Sequence, residues 1–158
     1  PATVCGFLSV KQMEEVTGKK VERAYNTRLN SEVGNIDYSC TLTFDEYADV
    51  KIDYTDDSLF GGMSESEFRN YYYGSNDWVV EQFESESAGE LYLVFSLRGD
   101  SAIAYLVWYD GSGRTLSLSI VNPERESITR DQIKGVAVPL MEYIAPTVEH
   151  QYPLPSAS

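Results

Sequence analysis

Six segments of the chain read as strands, four of them alternating apolar and polar residues with a period of two, which points to a fold built on half-buried strands. They run Ile36–Phe44, Ala48–Tyr54, Trp78–Glu84, Glu90–Arg98, Ala102–Tyr109 and Arg114–Val121. Turn residues separate them: Asp45-Glu46-Tyr47, Ser87-Ala88-Gly89, Gly99-Asp100 and Asp110-Gly111-Ser112-Gly113. Such short connections imply antiparallel neighbours. Leu91, Leu93, Phe95 and Leu97 alternate with Tyr92, Ser96 and Arg98, so one face of this sheet is apolar and the other mixed. Ala102–Tyr109 is apolar on both sides and is expected at the centre of the sheet.

Three helices are expected around these strands. Ser9-Val10-Lys11-Gln12 and Ser64-Glu65-Ser66-Glu67 are capping boxes, each followed by a short amphipathic run that ends at Gly18 or Gly74. Thr129-Arg130-Asp131-Gln132 opens a last helix carrying Ile133, Val136, Leu140, Met141 and Ile144 at helical spacing, interrupted by Pro139. Lys19 to Asn35 reads as polar and irregular, with a strand near Val21–Tyr25, and Gly61-Gly62 marks a loop. Beyond Pro146 the chain is polar and proline-rich. The fold class expected is therefore α+β: an antiparallel sheet of about six strands with helices packed on one face. Residues 1–146 make one domain and 147–158 a disordered tail.

Two cysteines admit two readings, a reduced buried pair or a disulfide. Cys40 lies on the apolar face of its strand with Ile36, Tyr38, Leu42 and Phe44, where the N-terminal segment carrying Cys5 packs over it. That pattern favours a Cys5–Cys40 disulfide, and with it an exported protein. The chain opens on Pro1 with no signal-like segment, so a processed form is expected. No apolar run is long enough to span a bilayer as a helix.

The opening Cys5-Gly6-Phe7-Leu8-Ser9-Val10-Lys11-Gln12, the stop at Gly18 and the later Ser39-Cys40-Thr41-Leu42 resemble a group of actinobacterial lipoproteins of unknown function. More distantly, the order of elements is similar to extracellular sensor domains of actinobacterial serine/threonine kinases. Leu42 stands where the group has an aromatic residue, and the second disulfide of the kinase sensors has no counterpart. The resemblance implies an extracytoplasmic, one-disulfide domain, held at the cell surface by a lipid anchor upstream of it. It implies no activity.

Charge narrows the partners. The formal net charge is −13, and between Asp45 and Glu90 thirteen acids are opposed by Lys51 and Arg69 alone. Such a surface repels phosphate backbones and anionic lipid, so neither nucleic acid nor direct insertion into a membrane is expected. A basic protein or loosely held calcium fits better, with Asp49, Asp53, Asp56 and Asp57 the candidate contacts.

No cofactor and no catalytic residue is expected. Gly-x-Ser-x-Gly, Ser-x-x-Lys and phosphate-cradling glycine motifs are missing, and His150 is the single histidine. Two carboxylates acting on a glycan are the one catalytic option left. The better signal is aromatic: Tyr71, Tyr72, Tyr73, Trp78, Tyr92, Tyr105 and Tyr109 are candidate binding residues, against the plainer reading that strand tyrosines simply pack. The function expected is a non-catalytic binding or sensing module for an unknown ligand. A secreted acidic inhibitor of a basic enzyme, or a carboxylate-dependent carbohydrate-active enzyme, is the alternative.

Overall fold

Alternation becomes strand wherever one face finds a cover, and here every alternating segment does. The computed structural model describes residues 2–32, 35–45, 48–56, 65–74, 77–96, 103–109, 114–121 and 129–153. A two-stranded hairpin, β1 (Thr3–Val4) with β2 (Leu8–Ser9), leads into α1 (Val10–Thr17). There follow β3 (Val21–Glu32), β4 (Asn35–Phe44), β5 (Asp49–Thr55), α2 (Glu65–Tyr73), β6 (Trp78–Ser85), β7 (Gly89–Ser96), β8 (Ile103–Tyr109), β9 (Thr115–Val121) and α3 (Arg130–Gln151). The seven longer strands form one antiparallel sheet in the order β3-β4-β5-β9-β8-β7-β6. The expected α+β class with an antiparallel sheet and a Cys5–Cys40 disulfide is present, with one strand more than expected in the main sheet.

The helix caps form as their sequences dictate. The Ser9 hydroxyl accepts from the Gln12 amide, and Gly18 closes α1 in the left-handed conformation at φ 68°, where a side chain would be strained. Thr129 and Gln132 exchange both bonds of a capping box at the start of α3. The first part of the expected tail is helical instead: α3 runs through Pro146 to Gln151, His150 stands in its last turn, and Val148 and Tyr152 are buried. Burial of those two side chains outweighs the hydrogen bond a proline removes.

The main core lies between one sheet face and helices α1 and α3. Tyr38, Leu42, Ile52, Leu118, Leu106 and Leu93 point from five strands at Met13 of α1 and at Ile133, Ala137, Leu140, Met141 and Ile144 of α3. At the far edge Glu81 of β6 pairs with Arg130 and with Lys134 at 2.9 Å, holding the start of α3 over the sheet. The disulfide ties the N-terminal hairpin onto β4, with Cα atoms 5.6 Å apart.

Helices on one face hold for α1 and α3. Helix α2 packs on the opposite face, where Phe68 and Tyr72 sit on Tyr92, Val94 and Val107 of β7 and β8. Topology explains it: β5 and β9 are sheet neighbours, so α2 carries the chain from the middle of the sheet to its far edge before β6–β9 return as a meander. The chain crosses the sheet on that side, and the two-sided apolar strand β8 is covered on both faces as a result.

Lys19 to Asn35 departs most from expectation. It forms the twelve-residue edge strand β3, which carries polar side chains on both faces and so shows no alternation. A bulge between Tyr25 and Arg28 inserts one extra residue against Thr41–Ser39, with Asn26 at φ 55°. The turns at 46–47, 97–102, 110–113 and 122–128, the Gly61-Gly62 loop, the Ser64 cap and residues 154–158 lie outside the described residues.

Candidate functional site

The tyrosines singled out by sequence do converge, under α2. Phe68 meets Tyr72 at 4.8 Å, Tyr92 at 5.6 Å and Tyr109 at 5.8 Å between ring centroids, while Trp78 bridges Tyr72 and Tyr105 at about 6 Å. Edge-to-face contacts of this kind are how aromatic rings fill a core. Tyr92 is 1% exposed and Tyr72 7%, and burial pushes the Tyr72 hydroxyl up to about 12. These rings form a second small core, as the plainer reading has it. Among the described side chains of the group, Tyr71 is the largely open one, at 60% exposed. Trp78, Tyr105 and Tyr109 are half-buried, and the Tyr73 side chain lies outside the described ones.

Of the four aspartates, the three described ones, Asp49, Asp53 and Asp56, have separate partners. Asp56 caps the sheet end, accepting from the Ile36 amide at 2.8 Å and from the buried Arg114 guanidinium at 3.2 Å. Asp49 accepts from the Tyr25 hydroxyl at 3.1 Å. Asp53 faces Lys51 at 3.7 Å, and Asp57 lies outside the described residues. Among the described residues no group of three or more acids, histidines or cysteines could hold a metal ion.

Helix α2 sits over β6–β8, and on the same face β3, β4, β5 and β9 floor a groove of about 660 Å³. Its floor follows from register. Thr41, Lys51 and Ser119 are cross-strand partners, and in the next row Ser39 partners Asp53. Strands lie about 4.8 Å apart and same-face residues about 6.7 Å apart along each, so these side chains make a regular polar grid. Asp49 closes one end of the floor. The bulge in β3 turns Tyr25, Asn26, Thr27 and Arg28 into one wall. Arg23 lies over the Tyr25 ring at 4.7 Å, and Arg28 is held by Asp37 at 3.1 Å. On the far side, Ser119 is the register partner of Tyr105, where the grid meets the aromatic cluster.

No hydrogen bond to another described residue engages the hydroxyls of Ser39, Thr41 and Ser119. Asp53 is a largely covered carboxylate on the groove floor. Its side chain is 21% exposed, and burial raises its pKa, partly offset by Lys51. Raising the folded-state pKa of an acid means that protonation favours the fold. The contribution of Asp53 to stability is therefore present below the ordinary carboxylate range and lost as pH rises through the raised value. Asp53→Asn is expected to melt at a higher temperature than the parent near neutral pH. That gap should close on acidification, and thermal melts across the acidic-to-neutral range check it.

Sequence reasoning named Asp49 and Asp53 in this groove but missed Ser39, Thr41, Lys51 and Ser119. The signal was available in part: the outward positions of β4, β5 and β9 carry hydroxyl or charged side chains in nearly every place. What defines the class is a disulfide-tied α+β domain on a seven-stranded antiparallel sheet, with a polar groove on one face. Scans against profiles of known protein families, curated proteins and solved structures find no match.

Proposed function

We propose that this chain is a non-catalytic binding or sensing module of an exported, lipoprotein-type protein, and that it takes its ligand in the groove over β3, β4, β5 and β9. The observation that carries the reading is a concave polar site of small-ligand size, rich in unengaged hydroxyls and holding a half-buried carboxylate. The disulfide supports export, since such bonds persist in oxidising compartments. A binding role is favoured over carboxylate catalysis by spacing. Asp49 and Asp53 stand four residues apart on one strand, about 13 Å, beyond the roughly 5–9.5 Å of glycosidase pairs. Asp37, nearer to Asp53, is engaged by Arg28.

The test is a ligand screen followed by amide NMR, with sugars, amino acids, polyamines, nucleotides and short peptides as probes. At least one class is expected to shift the Ser39, Lys51, Asp53 and Ser119 signals. Ser119→Trp, which fills the groove, should abolish the effect, and Tyr71→Ala should not. Shifts confined to Tyr71 and Trp78, or release of a cleaved product, would overturn the reading. A secreted inhibitor using the acidic Asp45–Glu90 segment is the alternative. Its binding to a basic enzyme would weaken steeply with salt, through contacts outside the groove.

A further inference from the structure

Building on the groove reading, we infer that the ligand is a neutral, polyhydroxylated molecule, a short saccharide, whose hydroxyls donate to Asp53 and Asp49 and exchange hydrogen bonds with Ser39, Thr41 and Ser119. Charge balance points this way. The groove holds two carboxylates, Asp49 and Asp53, and two cations, Lys51 and Arg28, with Arg28 already paired to Asp37. An anion such as phosphate would meet both carboxylates on a strongly acidic protein. A polycation would meet Lys51 in the middle of the floor. A neutral ligand offends neither.

Hydrogen-bonding capacity points the same way. A carboxylate only accepts, an ammonium only donates, and serine or threonine does both. The floor therefore offers accepting, donating and two-way groups at regular spacing, which suits a ligand whose every group is itself a two-way hydroxyl. Asp53 is the anchor because its carboxylate is four-fifths covered, yet its nearest described cation is an exposed ammonium at 3.7 Å, long for a hydrogen bond. Tyr25 adds a ring at the wall, and its hydroxyl, donating to Asp49, fixes that carboxylate in place. The volume suits a saccharide of a few residues lying along the strands.

Titration by calorimetry and amide NMR against maltotriose, cellotriose, mannotriose and N-acetylchitotriose tests this, with spermidine, inorganic phosphate and citrate alongside. At least one neutral oligosaccharide is expected to move the Ser39, Lys51, Asp53 and Ser119 amides. Asp53→Asn should weaken that binding by roughly tenfold or more, the loss of hydrogen bonds to a charged acceptor. This variant is expected to fold at least as stably as the parent, and Thr41→Val provides an independent second loss. Affinity should change by less than about twofold between low and high salt, as for an uncharged ligand. If the groove amides respond only to spermidine, phosphate or citrate, the saccharide assignment fails while the groove remains the binding site. If no probe moves them, the saccharide assignment fails, and the broader screen decides the groove separately.

Discussion

Cys5→Ala combined with Cys40→Ala is expected to cost about 4 kcal/mol, the chain-entropy value for cross-linking residues 35 apart. That is a large part of the roughly 5–15 kcal/mol that holds a domain of this size together. More than loop entropy is involved. Cys5 sits at φ 57° and Gly6 at φ 89° in the β1–β2 turn, and a Cβ on Gly6 would come within 3.1 Å of the Leu29 side chain. The Tyr38 hydroxyl donates to the Cys5 carbonyl at 2.9 Å, and Phe7 stacks on the Tyr38 ring at 4.9 Å. The disulfide thus fixes a turn that delivers the first helix onto the core. Urea unfolding of the double variant measures the loss. Thiol titration of the parent under denaturing, non-reducing conditions should find no free thiol. Two free thiols, or an unchanged urea midpoint, would refute the account and remove the support for export.

The second large effect is expected at Arg114, just before β9. Its side chain is 7% exposed and reaches, among the described residues, Asp56 at 3.2 Å, the Tyr54 hydroxyl at 3.4 Å and the Tyr152 carbonyl. Tyr152 is the C-cap of α3, so one guanidinium joins the end of the long helix to the ends of β5 and β9. A cation at a helix C-terminus also faces the negative end of its dipole. Arg114→Met keeps the length and removes the charge, leaving Asp56 without its buried cation and the Tyr152 carbonyl without a donor. A loss of about 3 kcal/mol is expected, in line with removing one partner of a buried ion pair. Arg114→Lys should recover only part of it, because a point charge cannot serve three acceptors held in a fork. Chemical denaturation should show a lower midpoint with an unchanged slope, and a loss below about 1 kcal/mol would contradict this role. Amide exchange of the last turn of α3 should rise in step, since that turn is what Arg114 retains.

The cysteine pair and Arg114 announce their partners unequally in the chain. The cysteine pair was legible because both residues lie next to strongly patterned elements, so their faces could be assigned. Arg114 was not, since its partners come from residues 54, 56 and 152, and no local pattern relates them. The same division runs through the groove. That Asp49, Lys51 and Asp53 share the outward face of one strand is plain from alternation. That Ser39, Thr41 and Ser119 stand beside them depends on register and on β9 inserting next to β5.

Legible in the chain alone were the strands that bury one face, the caps at Ser9 and Thr129, the antiparallel sheet and the disulfide. Each of these is set within a few residues by periodicity, capping chemistry or a side chain's face. Of β3 the chain showed a strand near Val21–Tyr25 but not its run to Glu32, whose polar edge position needs no apolar face, and it did not show the continuation of α3 past Pro146, which depends on distant rings of Phe7, Tyr38 and Tyr54 closing around Tyr152. That α2 crosses on the second face is a matter of tertiary packing alone. Its position buries the mixed surface of β6–β8 and leaves the polar groove to β3, β4, β5 and β9, because a nine-residue helix cannot cover seven strands.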